Sequence, residues 1–109
     1  MDVHLIDRGR LYADRNFPLS GAVAATKSNQ SPAVEYQEFV VWNLVIDHPD
    51  VTILWDTGSH PEAGDGYWQA PLCETFGHVD VDERDLETAV GDVGYDIADI
   101  DMVVESHVH

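Results

Sequence analysis

Lysine is almost missing from this sequence. Lys27 is the only one, and with four arginines it sets five basic side chains against 21 acidic ones, a formal net charge of −16 over 109 residues. So little positive charge excludes nucleic acid and anionic membrane surfaces as partners, because like charges repel. Cysteine is equally scarce. Cys73 stands alone, so no intramolecular disulfide can form, which suits a reducing cytoplasm, and a single cysteine is expected as a small packed side chain. The start, Met1-Asp-Val-His-Leu-Ile-Asp7, lacks a basic region followed by an apolar stretch, and no apolar run approaches membrane-spanning length. Neither a secretory leader nor a membrane anchor is expected. No internal repeat and no linker composition divide the chain, so residues 1–109 read as one domain or part of one.

What is present in excess is aspartate. Fourteen are scattered through the chain rather than massed in a tail, while ten aromatic residues and an ordinary apolar fraction argue for a folded chain. An acidified surface with one lysine reads as adaptation to molar salt, where screening removes the self-repulsion; the plainer reading is an ordinary acidic protein.

Val3, Leu5 and Ile6 open a short apolar stretch that Leu11 and Tyr12 continue, with Arg8-Gly9-Arg10 expected as the turn of a hairpin. From Phe17 to Val34 the chain has no period and reads as a long loop, a candidate rim or lid. Glu38–Ile46 alternates as a strand, placing Val40, Trp42, Leu44 and Ile46 on one face and Phe39, Val41 and Val45 on the other. Both faces are expected to be covered. Asp47-His-Pro-Asp50 supplies a turn, and Val51–Trp55 completes an antiparallel hairpin. Asp82 is the expected cap of a helix carrying Leu86, Ala89, Val90 and Val93 at helical spacing, with Gly94 ending it. Met102-Val-Val104 then reads as a short buried strand.

His107-Val108-His109 follows that strand, so two imidazoles can project in similar directions from extended chain, as two ligands of one metal ion do. Taken alone, the spacing describes two exposed terminal histidines equally well. Asp56-Thr57-Gly58 follows the hairpin, and taken alone it is a turn-forming Asp beside a glycine. His60 lies close to that turn without a ligand role, and His4, His48 and His78 have no spacing argument.

The order of these pieces resembles the metallo-β-lactamase superfamily, in which a strand-turn Asp-Thr-Gly precedes a helix and then a strand ending in Ser/Thr-His-X-His-X-Asp-His. The longer match, Val40-Val-Trp-Asn-Leu-Val-Ile46, Leu54-Trp-Asp-Thr-Gly58 with Pro61-Glu-Ala63, and Val93-Gly-Tyr95 leading to Ser106-His107, looks most like the N-acyl homoserine lactonase branch. It covers most of residues 36 to 109. The resemblance implies an α/β chain that is the N-terminal part of an αβ/βα four-layer sandwich, an incomplete domain ending inside the histidine motif with its C-terminal half missing.

It further implies two zinc ions in the complete domain, with His107 and His109 as ligands of the first and Asp56, Thr57 and Gly58 organising the site from outside the ligand shell. The zinc pair would lower the pKa of a bound water and polarise the scissile carbonyl. The substrate would be a small lactone or other ester. Catalytic residues are expected downstream of His109 and none within the chain, so the chain alone should be inactive. Trp68 and Phe76 fall where that branch has a segment near the substrate face; they serve equally well as cover for the core. Two rival readings are a truncated, non-catalytic pseudoenzyme and an unrelated acidic binding module.

Overall fold

The structure, a computed structural model, describes residues 1–108. Two long strands, β1 (Asp2–Asp14) and β2 (Tyr36–His48), pair antiparallel along their length, and β3 (Val51–Trp55) pairs antiparallel with β2 through the tight turn at Pro49-Asp50. The hairpin expected within residues 3–12 does not form. Asp7 pairs with Trp42 and Arg10 with Val40, so Arg8 and Gly9 together face Val41: a β-bulge in a continuous strand. Gly9 takes φ +97°, and a Cβ there would stand 2.5 Å from the carbonyl oxygen of Val79. Only glycine meets both demands. The bulge also changes which residues face the core, since Ile6 and Arg8 are buried before it and Ala13 after it.

β4 (Gly77–Val79) flanks β1 antiparallel and β5 (Met102–Val104) flanks β3 in parallel, giving the order β4-β1-β2-β3-β5. Between β3 and β4 lie a wide π-type turn at Ala63–Tyr67 and the short helix α1 (Ala70–Thr75), where Pro71 sits in the first turn that its missing N–H favours. The chain from Asn16 to Glu35 forms no helix or strand, in keeping with the expected loop.

Helix α2 (Leu86–Asp92) begins three residues later than expected: Asp85, not Asp82, is the cap, its carboxylate accepting the Thr88 N–H at 2.7 Å. Bonding to that amide holds the Asp85 carboxyl below the usual carboxylate range. Gly94 closes the helix at φ +92°. Asp96 and Asp99 then form a reciprocal capping box around the 3-10 turn Ile97–Asp99, which leads into β5.

The α2 side of the sheet holds the core. Ile6, Val45 and Leu54 pack there against Ala89 and Val90, with Leu86, Val93, Tyr95 and Ile100 around them. On the other side, cross-strand rows of Val3-Ile46-Ile53-Met102 and Leu5-Leu44-Trp55-Val104, with Trp42 and Val40 beyond, have no layer over them among the described residues. The alternation within β2 is as read, but the expectation that both faces are covered, and that β5 is buried, fails: Trp42 is 48% exposed and all of β5 is exposed. The radius of gyration, 16.8 Å, exceeds the roughly 13 Å of a compact chain of this length. The accessible surface of 7283 Å² is likewise above the roughly 6,000 Å² typical of a protein of this mass. The molecule is a slab of one sheet and one thin helical layer.

Candidate functional site

Strands β3 and β5 are parallel neighbours, so their carboxyl ends lie side by side and the segments leaving them, Asp56-Thr57-Gly58 and Glu105-Ser106-His107, meet. Carboxyl ends of parallel strands are a usual place for ligand sites in α/β sheets. Asp56 N–H donates to the Val104 carbonyl at 2.8 Å, after which Asp56 turns into the left-handed region at φ +59°, a conformation that Asp tolerates better than most residues. That turn aims its carboxylate at Ser106, accepting the backbone N–H at 2.6 Å and the hydroxyl at 2.7 Å. Ser106 Oγ in turn lies 2.8 Å from His107 Nδ1. A serine hydroxyl has one proton, here given to Asp56, so toward His107 it acts as acceptor from Nδ1, and a neutral ring held in this way has its lone pair on Nε2. This is the tautomer of a metal-ligating imidazole held by a hydrogen bond to its other nitrogen. Thr57 Oγ1 adds a second tie, donating to Glu105 Oε1 at 2.9 Å.

Beneath the turn lies the Arg8 guanidinium, only 2% exposed. Nη1 donates to Asn43 Oδ1 at 2.7 Å and to the Thr57 carbonyl, Nη2 to the Ser59 carbonyl at 3.2 Å, and Nε to the Arg84 carbonyl at 2.8 Å. Gly58, at φ +65°, packs over it; a Cβ there would stand 3.0 Å from Nη1.

Around this floor, Thr57, Ser59, His60, Tyr67 and Trp68 line an open depression of about 390 Å³, with the His60 and Tyr67 rings stacked at 3.7 Å. Trp68 meets Phe76 edge-on at 6.0 Å and His78 at 4.9 Å, and Phe17 from the long loop packs on Phe76 at 5.3 Å. Phe76 and His78 line a separate hollow of about 530 Å³ beside Cys73 and the acidic Glu62, Asp65 and Asp82. Both ring nitrogens of His78 are buried without a hydrogen-bond partner among the described residues, and burial pushes its pKa down, which keeps it neutral. Cys73 sits half-buried against the carbonyls of Ala63 and Trp68.

The structure thus brings Asp56, Thr57, Gly58 and His107 together at one end of the sheet. Trp68 borders the depression beside them, Phe76 faces the other hollow, and His109 lies outside the described residues. Among the described residues no group of three or more His, Cys, Asp or Glu side chains converges as a metal site. Sequence reasoning assigns no site role to Ser106, Asn43 or Arg8, although Ser106 and Asn43 fall within the matched motifs. Ser106 had a signal in its place directly before the first histidine; Arg8 and Asn43 sat within strands that read as sheet and turn.

No protein-family model matches the chain. N-acyl homoserine lactonase AiiB of Agrobacterium fabrum is 28% identical over 107 residues, which are 96% of this chain and 39% of that protein; AiiB of Rhizobium rhizogenes is 27% identical over the same shares. Among solved structures, B. thuringiensis AiiA with N-decanoyl-L-homoserine at its active site superposes with a TM-score of 0.65 at 21% identity. So does an N-acyl homoserine lactone hydrolase holding its product N-hexanoyl-L-homoserine at the catalytic metal centre. Each alignment covers 98% of this chain and 40% of the solved one. The chain has the metallo-β-lactamase fold. Of that metallo-β-lactamase fold it carries one sheet and few helices, and it spans about 39% of the length of the curated relatives it matches. No helix among the described residues is long and apolar enough to cross a membrane.

Proposed function

We propose that this chain contributes the first metal-binding histidines to a metal-dependent hydrolase that opens lactone rings of the N-acyl homoserine type, within a protein longer than the chain itself. The observation that carries the reading is the chain of hydrogen bonds from Asp56 through Ser106 to His107 Nδ1. His107 and His109 are the proposed ligands, and zinc the proposed metal. Asp56 orients His107 through Ser106, while Thr57 and Gly58 shape the turn that aims Asp56. Bound zinc would supply an acidified water and a Lewis acid for the carbonyl. Trp68 and the stacked His60–Tyr67 pair offer an apolar rim for an acyl chain beside that point, with Phe76 behind Trp68. The bare sheet face takes a second sheet from the remaining length, forming the four-layer sandwich. We place the protein in the cytoplasm of a salt-adapted cell, on its lone cysteine and its charge of −16.

Two histidines fall short of the three protein ligands a catalytic zinc usually has, so the chain alone should bind zinc weakly and hydrolyse nothing. Calorimetric zinc titration, with the double variant His107→Ala, His109→Ala as control, checks this. Extending the chain by a downstream segment that begins X-Asp-His should give a chelator-sensitive lactonase or esterase. An extended protein that binds two zinc ions yet opens no lactone and cleaves no other ester would sink the proposal. Dialysis from molar to millimolar potassium chloride should unfold the protein, as circular dichroism would report, because about sixteen negative charges lose their screening; unchanged structure and melting temperature would refute salt adaptation.

A further inference from the structure

Arg8 is an expensive residue in its position. A buried guanidinium loses its hydration, and none of its four hydrogen-bond acceptors is a carboxylate: all are carbonyl or amide oxygens. Burial accordingly draws its pKa down, with the Asp85 carboxylate nearby working the other way. An aliphatic side chain would fill the same space without that cost. What it could not do is serve acceptors from three places at once: Asn43 in β2, Thr57 and Ser59 on either side of Gly58, and Arg84 at the approach to α2. Arg84 reciprocates, its Nε donating to the Asp7 carbonyl at 3.0 Å.

We propose that Arg8 is a positioning residue for the candidate metal site: its planar fork grips the turn at the Thr57 and Ser59 carbonyls and so fixes where Asp56 presents its carboxylate to Ser106 and, through Ser106, to His107. Three local features converge on this grip. The bulge at Gly9 sets Arg8 facing the core beneath the turn, Gly58 removes the Cβ that would press on the guanidinium, and Asn43 occupies a buried site in β2 where an apolar residue would otherwise pack. Lysine cannot replace the fork, since a single ammonium cannot span acceptors arrayed along a plane. The inference deepens the metal-site reading given above and rests on it for its purpose, though not for its test.

The test uses the chain as it is, without metal or substrate. In Arg8→Lys, amide hydrogen exchange at Ser106 should quicken about tenfold or more, in line with losing hydrogen bonds from a charged donor, while amides of Val45 and Leu54 shift far less. The 15N signals of His107 should move from one tautomer toward a mixture. Gly58→Ala, which crowds the guanidinium from the other side and leaves the charge in place, should give the same local pattern and serves if Arg8→Lys fails to fold. Equal acceleration at Ser106 and in the core would show Arg8 to be only a stabiliser of the whole sheet and would overturn the proposal, as would unchanged Ser106 and His107 signals. Should these local changes appear while the extended protein proves inactive toward every ester, the hydrolase reading falls and the role of Arg8 stands.

Discussion

The two faces of one sheet are built from alternate residues of the same strands, yet they live in different environments. On the α2 side, Val45, Leu54 and Ile6 are closed over by Ala89 and Val90; on the other, Leu5, Trp42 and Met102 stay about half exposed and Ile46 partly so. Both sets are apolar, so a period of two reveals that each face is meant to be dry without revealing what dries it. Burial on the first face comes from within these residues. On the second face Val3, Leu5, Val40, Trp42 and Met102 each keep roughly half of their surface exposed, and the chain as a whole shows roughly 1,200 Å² more surface than a compact protein of the same mass.

The contrast can be broken most forcefully at Val90, which is fully buried. Val90→Asp should cost about 4 kcal/mol or more and abolish the cooperative urea transition, because a carboxylate would be stranded between helix and sheet. Trp42→Gln on the bare face should change stability by less than about 0.5 kcal/mol in this chain and reduce binding of a hydrophobic dye. In a protein extended to the length of the relatives the same Trp42→Gln should cost about 2 kcal/mol or more, by the area then buried; equal small costs in both would mean that nothing packs on this face.

A finer probe is Asn43→Ala, expected to cost about 1–3 kcal/mol by leaving an Arg8 N–H without its acceptor, measured by chemical denaturation. Asp85→Ala should cost about 1 kcal/mol through the lost helix cap. Smallest is the pH effect of His78. Its pKa is lowered in the folded chain, so the unfolded chain binds more protons below the ordinary value, and stability is full above about pH 6.5 and declines as pH falls toward the folded value. His78→Phe should flatten that part of a stability profile taken between pH 7 and 5.

The hairpin β2–β3 and the helix with its 86, 89, 90 and 93 stripe were legible because each rests on local pattern, whereas Asp56 and His107 were linked only by an order of motifs that resembles the metallo-β-lactamase superfamily. Three features were not legible. Arg8-Gly9-Arg10 carries the same signal for a hairpin turn and for a bulge, since both want a glycine at positive φ, and only pairing with β2 decides between them. Asp82 and Asp85 are equally good caps by type, and the choice falls to the one whose carboxylate reaches a free amide. The grip of Arg8 on Thr57 and Ser59 joins residues about fifty apart, which no local period encodes.

The bulge in β1 also sets a reading frame for changes in chain length. In a regular strand, losing one residue turns every later side chain to the opposite face and losing two restores them. Here the rule is inverted. Removing Gly9 alone would leave Arg8 opposite Val41, Arg10 opposite Val40 and Leu11 opposite Phe39, a plain ladder with every later side chain on its present face. Removing Gly9 and Arg10 together would set Leu11 against Val40 and Tyr12 against Phe39, exchanging inside for outside down to Asp14. Single-residue shortening at this point is therefore the change the sheet can absorb, at the expense of the bend beside Arg8, and a two-residue deletion is the one that inverts the remainder of the strand.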